Sequence, residues 1–482
     1  MMAGFDKNRF FLKAVQEASR ADLPVASRRL LLKGFASAML TAGWASVLPF
    51  GAAWASAPST TASGKAVVRI LVVGAGVGGA TFAKYMKMFA PEVEITVLER
   101  NPYFTRHYGS SEVLTGAVSM DDLRVDYDGL KARGIRVLEE NVVAMDPERR
   151  EVRTASGSRF AYDFLVVSPG IELLYSEVPG YNVAVAETRI PSGWIAGRQT
   201  ALLRRQMLDM PENGTFVLAA PPNPYRCPPG PYERAALVYE WTRVHKKNAR
   251  VIVLDPKDSF VTDETMLIGW NHLYGFVPPE PYRSKLRDYL VEPREGTSLF
   301  WRRRADGGAP VAVDPEAMTV TTAAGDVVRA DVINIVPPMR AARIALDMGL
   351  TDKSGFCPVD RRTFESTVFK GVYVLGDASI ADAMPKSGFS ANTQAKVTAR
   401  AIAETLAGRP VPEPAWSNTC YALAGDAWGI FVADTFRIVE GKIARTNTRA
   451  RYQFFTATDG ERRVASRYLR SWIRTITADA FV

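Results

Sequence analysis

Residues Val67-Val68-Arg69-Ile70-Leu71-Val72-Val73 form an aliphatic, β-branched run broken only by Arg69, and it passes directly into Gly74-Ala75-Gly76-Val77-Gly78-Gly79. Nothing else in the chain limits its fold so tightly. A parallel strand buried on both faces reads as this kind of near-continuous apolar run. Glycines 74, 76 and 79 then permit a tight turn, a close backbone approach to a pyrophosphate, and packing of a helix on the strand. The helix-like stretch Ala80–Lys87 would offer the free N–H groups of its first turn to an anion. Twenty residues past Gly79, a second strand over Glu94–Leu98 delivers Glu99, placed to accept hydrogen bonds from a ribose hydroxyl. The combination predicts a dinucleotide-binding βαβ unit.

Two downstream segments decide which dinucleotide. Gly371-Val372-Tyr373-Val374-Leu375-Gly376-Asp377 is a strand ending in Gly-Asp, where Asp377 can hold the ribityl chain of a flavin. It resembles the second FAD fingerprint of glutathione-reductase-like flavoproteins. Phe164–Gly170 looks like the strand and turn that precede the second domain of that group. The expected cofactor is therefore FAD, and no metal-ligand set is assigned. The fold class is α/β: two Rossmann-like, three-layer domains of glutathione-reductase type plus a small C-terminal α+β interface domain.

A second such unit would open on Gly214–Ala220, but the turn after it reads Pro221-Pro222-Asn223-Pro224-Tyr225-Arg226-Cys227-Pro228-Pro229. Proline has a fixed φ and no N–H, so this loop cannot cradle a pyrophosphate. NAD(P)H is thus not an expected partner, and something else must exchange electrons with the flavin. Cys227 precedes a helical stretch beginning near Tyr232, and a helix N-terminus lowers a thiol pKa. The chain has three cysteines, Cys227, Cys357 and Cys420. An odd count leaves one unpaired, and spacing alone does not give the pairing. Cys227 and Cys357 both sit in proline-flanked turns. If they share a pocket they form a redox disulfide; the alternative is a stapling disulfide.

Ser27-Arg28-Arg29-Leu30-Leu31-Leu32-Lys33, an Ala-rich apolar stretch and Ala55-Ser56-Ala57-Pro58 read as a twin-arginine signal cleaved after Ala57. The expected mature protein is periplasmic, with no transmembrane anchor. Residues 1–57 carry +4 of the formal +9, leaving about +5, and no basic run points to nucleic acid. The expected organisation is a signal (1–57), a first FAD-binding segment (66–180), an inserted NAD-domain-like unit carrying Cys227 (181–334), a second FAD-binding segment (335–410) and a C-terminal interface domain (411–482). A hairpin at 317–330 closes the insertion.

Arg226–Arg234 (RCPPGPYER), Cys357-Pro-Val-Asp360, Gly376-Asp377, Met384–Asn392 (MPKSGFSAN), Asn418-Thr-Cys-Tyr421 and Ser471-Trp472 resemble the flavoprotein subunit of flavocytochrome c sulfide dehydrogenase, from about Val68 onward. The resemblance implies a redox disulfide between Cys227 and Cys357, a small inorganic sulfur substrate, and electron transfer to a separate c-type cytochrome subunit. This chain has no Cys-x-x-Cys-His, so no haem is expected in it. Cys420 matches a cysteine read as unpaired and structural. Glu233 is the candidate general base, or else a helix-N-terminal acid. Lys386 would offset charge on the reduced cofactor, and Trp472 would sit over its ring. The family attaches FAD through a cysteine in a segment that here reads Tyr103-Phe104-Thr105-Arg106-His107-Tyr108. Non-covalent FAD is expected, contacted by Arg106 and His107, with His107 the alternative attachment point. The rival enzyme is a sulfide:quinone reductase docked on a membrane through the basic, partly amphipathic tail Ala465–Ile476. The rival outside enzymology is a non-catalytic flavoprotein partner of a sulfur-oxidation complex.

Overall fold

The computed structural model describes residues 67–294, 296–446 and 454–482. The expected signal segment, 1–57, lies outside them. The run singled out above forms β1 (Arg69–Val73), the glycine turn leads into α1 (Val77–Phe89), and β2 (Glu94–Glu99) follows. Strands β3 (Arg136–Glu139) and β4 (Phe164–Val167) extend the same sheet. All neighbours in it are parallel, and Ile70, Leu71, Val72 and Val73 are buried, as the uninterrupted apolar pattern requires.

The inserted unit has its own parallel sheet. Strand β5 (Thr215–Ala219) is followed by α2 (Gly230–His245), β6 (Arg250–Leu254), β7 (Leu299–Arg302) and β8 (Val332–Ile335), in the order β7-β6-β5-β8. Every residue of β5 is buried. Helix α2 carries Pro231 in its first turn, where a missing N–H costs nothing. The hairpin near its end is present, with Thr319–Thr322 antiparallel to Val327–Arg329.

The chain then returns through β9 (Val372–Val374), completing the first sheet as β9-β4-β1-β2-β3. Helix α3 (Gly388–Leu406) starts where Ser387 caps it: its side chain accepts from the Ser390 N–H. An antiparallel sheet of β10 (Trp416–Gly425), β11 (Trp428–Val439) and β12 (Lys442–Arg445) follows, then α4 (Asp459–Phe481). The α/β class read from the sequence is the one observed. Among the described residues no helix is long and apolar enough to cross a membrane.

Candidate active site

A cavity of about 990 Å³ is lined by Gly74, Gly76 and Glu99 from the first sheet, by Cys227 and Glu233 from the insertion, and by Cys420 and Trp472 from the C-terminal region. That volume is at the upper end for cofactor-sized ligands. Gly74 has φ +92°, and a Cβ there would meet the Ser168 carbonyl oxygen at 2.5 Å, so only glycine serves. A Cβ on Gly79 would come within 1.9 Å of the Gly74 carbonyl oxygen. Gly79 is not on the cavity wall; it lets the helix seat against the turn. Glu99 is held at the wall by the Ala75 N–H at 2.8 Å and by the Asn101 N–H and amide at 3.0 and 2.8 Å.

Asp377 opens the turn after β9 and lines the same cavity. Its Oδ1 is buried without a hydrogen-bond partner among the described residues, as are Nε1 of Trp472 and Nε1 of Trp194, both also on the wall. Burial raises the Asp377 pKa, and Arg226 and Lys386 oppose that rise. Orphaned polar atoms on a cavity wall are the signature of a ligand that completes them. The glycine cradle, Glu99 and these orphans fit FAD. Glu99 and the turn would take the adenosine end, and Asp377 would take a ribityl hydroxyl.

The 103–108 segment behaves differently from expectation at one residue. His107 is on the wall, its Nδ1 accepting the Ala196 N–H at 3.1 Å, and burial beside Arg226 keeps its pKa well below the usual range. Arg106 is not on the wall. Its guanidinium clamps the carbonyls of Asp122 and Tyr108, at 3.2 and 2.9 Å, and so shapes the segment instead. Trp472 packs edge-on against Tyr108, ring centroids 5.7 Å apart.

All three thiols are free, so the expected Cys227–Cys357 bond is not formed. Cys227 is exposed to the cavity, in the left-handed region at φ 59°, a strained setting for a non-glycine residue. Its N–H donates to the Lys386 carbonyl at 2.9 Å, and its own carbonyl accepts the Gly230 N–H at the same distance. Cys357 is fully buried and off the wall. Backbone bonds from its N–H to Ala378 and to its carbonyl from Ile380 fix it behind the Asp377 turn.

The expectation of a depressed Cys227 pKa is also corrected. Burial and the neighbouring Glu233 and Cys420 push it up, against the pull of Arg226. Burial raises Cys357 to about 12 against the pull of Lys386. Lys386 is likewise off the wall. Its ammonium donates to the carbonyls of Asp377 and Ser379, at 2.7 and 3.0 Å, and sits 3.8 Å from the Phe356 ring centroid. Burial lowers its pKa to about 8.

Glu233 lies on the wall with one oxygen accepting the Leu423 N–H at 3.0 Å, and burial raises its pKa to about 8. A carboxyl titrating there suits proton transfer near neutral pH. Cys420, expected to be structural, lies on the wall too. Sequence reasoning missed that placement, since strand alternation does not say what faces β10 in space. It also passed over Arg226 and Arg234, which line the cavity. Arg234 is buried, holding the carbonyls of Ser192 and Gly193, each at 2.9 Å.

The proline loop is stitched down where a nucleotide would need it open. Lys257 donates to the Pro221 carbonyl and pairs with buried Asp255 at 2.7 Å, and the Tyr225 hydroxyl donates to the Pro228 carbonyl at 2.7 Å.

Comparison with known proteins agrees with this geometry. Residues 200–337 match the family model described as the central region of the sulfide dehydrogenase [flavocytochrome c] flavoprotein chain, and residues 412–481 its flavin-binding region. Residues 68–193 match the pyridine nucleotide-disulphide oxidoreductase model. A mitochondrial sulfide:quinone oxidoreductase of Dictyostelium discoideum is 25% identical over 65% of this chain and 66% of its own length. A sulfide-quinone reductase of Aquifex aeolicus is 23% identical over 76% and 83%. The X-ray structure of the sulfide:quinone oxidoreductase from Aquifex aeolicus superposes with a TM-score of 0.62 at 17% identity, covering 86% of this chain and 92% of that one, which shows a shared fold. The chain belongs to the flavocytochrome c sulfide dehydrogenase flavoprotein family, a sulfide-oxidising branch of the FAD-dependent pyridine nucleotide-disulfide oxidoreductases.

Proposed function

We propose that the protein is a periplasmic, FAD-dependent sulfide dehydrogenase that oxidises sulfide through Cys227 and Cys357 and passes electrons to a separate c-type cytochrome. The observation that carries this is the wall shared by the Cys227 thiol, the Glu233 carboxyl and the Asp377 orphan oxygen, beside a loop in which prolines replace a phosphate-binding turn. In the oxidised pair, hydrosulfide attacks Cys227, the sulfur that faces the cavity. A persulfide forms on Cys227, the S–S bond breaks, and Cys357 leaves as a thiolate next to the Lys386 cation. Glu233 takes one proton from entering hydrogen sulfide to give that hydrosulfide and passes it to solvent, and the attacking sulfur keeps its other proton, giving Cys227–S–SH. Bound FAD supplies the acceptor for the electron pair.

Residues 28–29 and the apolar stretch after them support export with the cofactor already inserted. The 103–108 segment holds no cysteine, which supports non-covalent FAD. A quinone acceptor is the second reading, favoured by one observation: the outer face of α4 exposes Val464 and Tyr468 among Arg463, Arg467 and Arg474.

Anaerobic addition of sulfide to the purified holoprotein should bleach the flavin, and Cys357→Ser should lose the response. Unchanged bleaching in that variant would refute the two-cysteine route. Reduction of cytochrome c but not of a soluble quinone analogue separates the acceptors.

A further inference from the structure

The wall that carries Cys227 and Glu233 also carries Cys420, on β10. Ionised Cys420 and Glu233 each oppose ionisation of Cys227, which places all three groups within electrostatic reach of one another. Cys420 has a second aspect as well. It lines a smaller chamber of about 40 Å³, walled by Pro228, Pro229, Val261, Ile430 and Val432 and bordered by Arg445. A water molecule needs roughly 10–15 Å³ of such volume, so the chamber admits a chain of two or three heavy atoms. Its walls are mostly apolar, which suits sulfane sulfur. Arg445 is paired there at 2.8 Å with Asp434, which also lines the chamber, so the two charges balance each other. The same turn, Cys227-Pro228-Pro229, therefore borders both spaces, and Cys420 opens onto each.

Cys420 is also oriented. The Asn418 amide N–H donates to its Sγ at 3.4 Å, and Asn418 Oδ1 accepts from the Cys420 thiol at 3.5 Å and from the hydroxyls of Ser387 at 2.6 Å and Ser390 at 3.3 Å. That network fixes the position of the sulfur on β10, and burial raises the Cys420 pKa, so the thiol must hand its proton to a base before it can attack. Asn418 is itself buried.

We propose that Cys420 is a second sulfur-carrying residue, which takes the sulfane sulfur from a Cys227 persulfide and releases it into the smaller chamber. This rests on the reading of Cys227 as the residue that sulfide attacks. The transfer is balanced without an oxidant. The Cys420 thiolate attacks the outer sulfur of Cys227–S–SH, a new S–S bond forms on Cys420, the bond to Cys227 breaks, and Cys227 leaves as a thiolate. Glu233 carries the proton lost by Cys420 to Cys227. A second hydrosulfide, or an external thiolate, then attacks the outer sulfur of Cys420–S–SH; the bond to Cys420 breaks, Cys420 leaves as a thiolate, and the soluble hydropersulfide released loses its proton to solvent. Cys227 is thereby cleared for its next bond with Cys357.

The test is to add one equivalent of sulfide anaerobically to the oxidised holoprotein, trap sulfur with an alkylating reagent, and map the cysteine peptides by mass. The expected result is one added sulfur on the Cys420 peptide of the wild type, absent in Cys227→Ser. In Cys420→Ser and Cys420→Ala the added sulfur should stay on Cys227, with steady-state turnover at least tenfold lower. Added sulfur confined to Cys227 in the wild type, together with wild-type turnover in both Cys420 variants, overturns the relay. Peptide mapping of the wild type decides the matter even if both variants fail to fold. Flavin bleaching recorded on the same wild-type sample keeps the two readings apart, because absence of bleaching by sulfide refutes the sulfide reaction itself.

Discussion

Glu233 on α2 accepts the backbone N–H of Leu423 on β10, at 3.0 Å, joining the helix that starts beneath Cys227 to the strand that carries Cys420. The bond holds one oxygen of a half-buried carboxyl on the cavity wall. Burial outweighs this bond and raises the pKa to about 8. The unfolded chain releases that proton near 4.5, so the native state holds one more proton between pH 4.5 and 8. Stability from this group is full below pH 4.5 and is lost as pH rises to 8. Glu233→Gln has no such loss. Its stability relative to wild type should therefore climb across that window and level off above it. The shift caps the gain at roughly 5 kcal/mol, and water reaching the cavity face makes about 2 kcal/mol the expectation. Chemical denaturation at pH 5 and pH 9 reads it. The same variant should slow flavin bleaching by sulfide about a hundredfold and lose the limb of the pH profile centred near 8.

Gly79 presses α1 onto the turn that it follows. Adding a Cβ 1.9 Å from the Gly74 carbonyl oxygen forces the helix or the turn to move, and both are backbone. Gly79→Ala should cost about 2–4 kcal/mol and lower flavin retention, even though residue 79 does not touch the cavity. Equal stability and flavin content in the variant would show that the turn can shift freely.

The first sheet was readable because its strands are buried on both faces and so are written as unbroken apolar runs, Arg69–Val73 above all. The cofactor end was readable because Gly74 needs a positive φ and Asp377 follows a strand, both local properties. The sulfur end was less so. Cys227, Glu233 and Cys420 meet through three separate elements, and nothing in the period of β10 says that Cys420 faces a cavity. The helix-dipole argument for a low Cys227 pKa took no account of burial or of the neighbouring Glu233 and Cys420, which push that pKa up. Lys386 and Arg106 were assigned to the cofactor on position in the chain, yet each spends its donors on backbone carbonyls that shape the wall from behind.

Asp377 gives a prediction with opposite signs in the two forms of the protein. Its unpartnered Oδ1 is a cost to the fold that a ribityl hydroxyl would remove. Asp377→Ala should weaken FAD retention by about ten- to a hundredfold, corresponding to roughly 1.5–3 kcal/mol for a hydrogen bond to a charged group. The flavin-free variant should at the same time melt no lower than flavin-free wild type. Full flavin occupancy in the variant would place the ribityl contact elsewhere.

The proline loop yields the last expectation. A pyrophosphate needs backbone N–H groups turned toward it, and residues 221, 222, 224, 228 and 229 have none to give. The N–H groups that remain are partly spent: Ala220 donates to Leu254, Arg226 to the Met339 sulfur and Cys227 to Lys386. Lys257, the cation at hand to meet a phosphate, is committed to Asp255 and Pro221. NADH and NADPH at millimolar concentration should therefore leave the flavin oxidised under anaerobic conditions in which sulfide bleaches it. Replacing Lys257 with Met should not create a response to either nucleotide; it should destabilise the fold by about 3 kcal/mol, by leaving the Asp255 carboxylate buried with only the Tyr232 hydroxyl, the Trp301 N–H and the Lys257 backbone N–H as donors. Flavin reduction by either nucleotide in the wild type would mean that the loop opens, and that its prolines do not exclude the carrier.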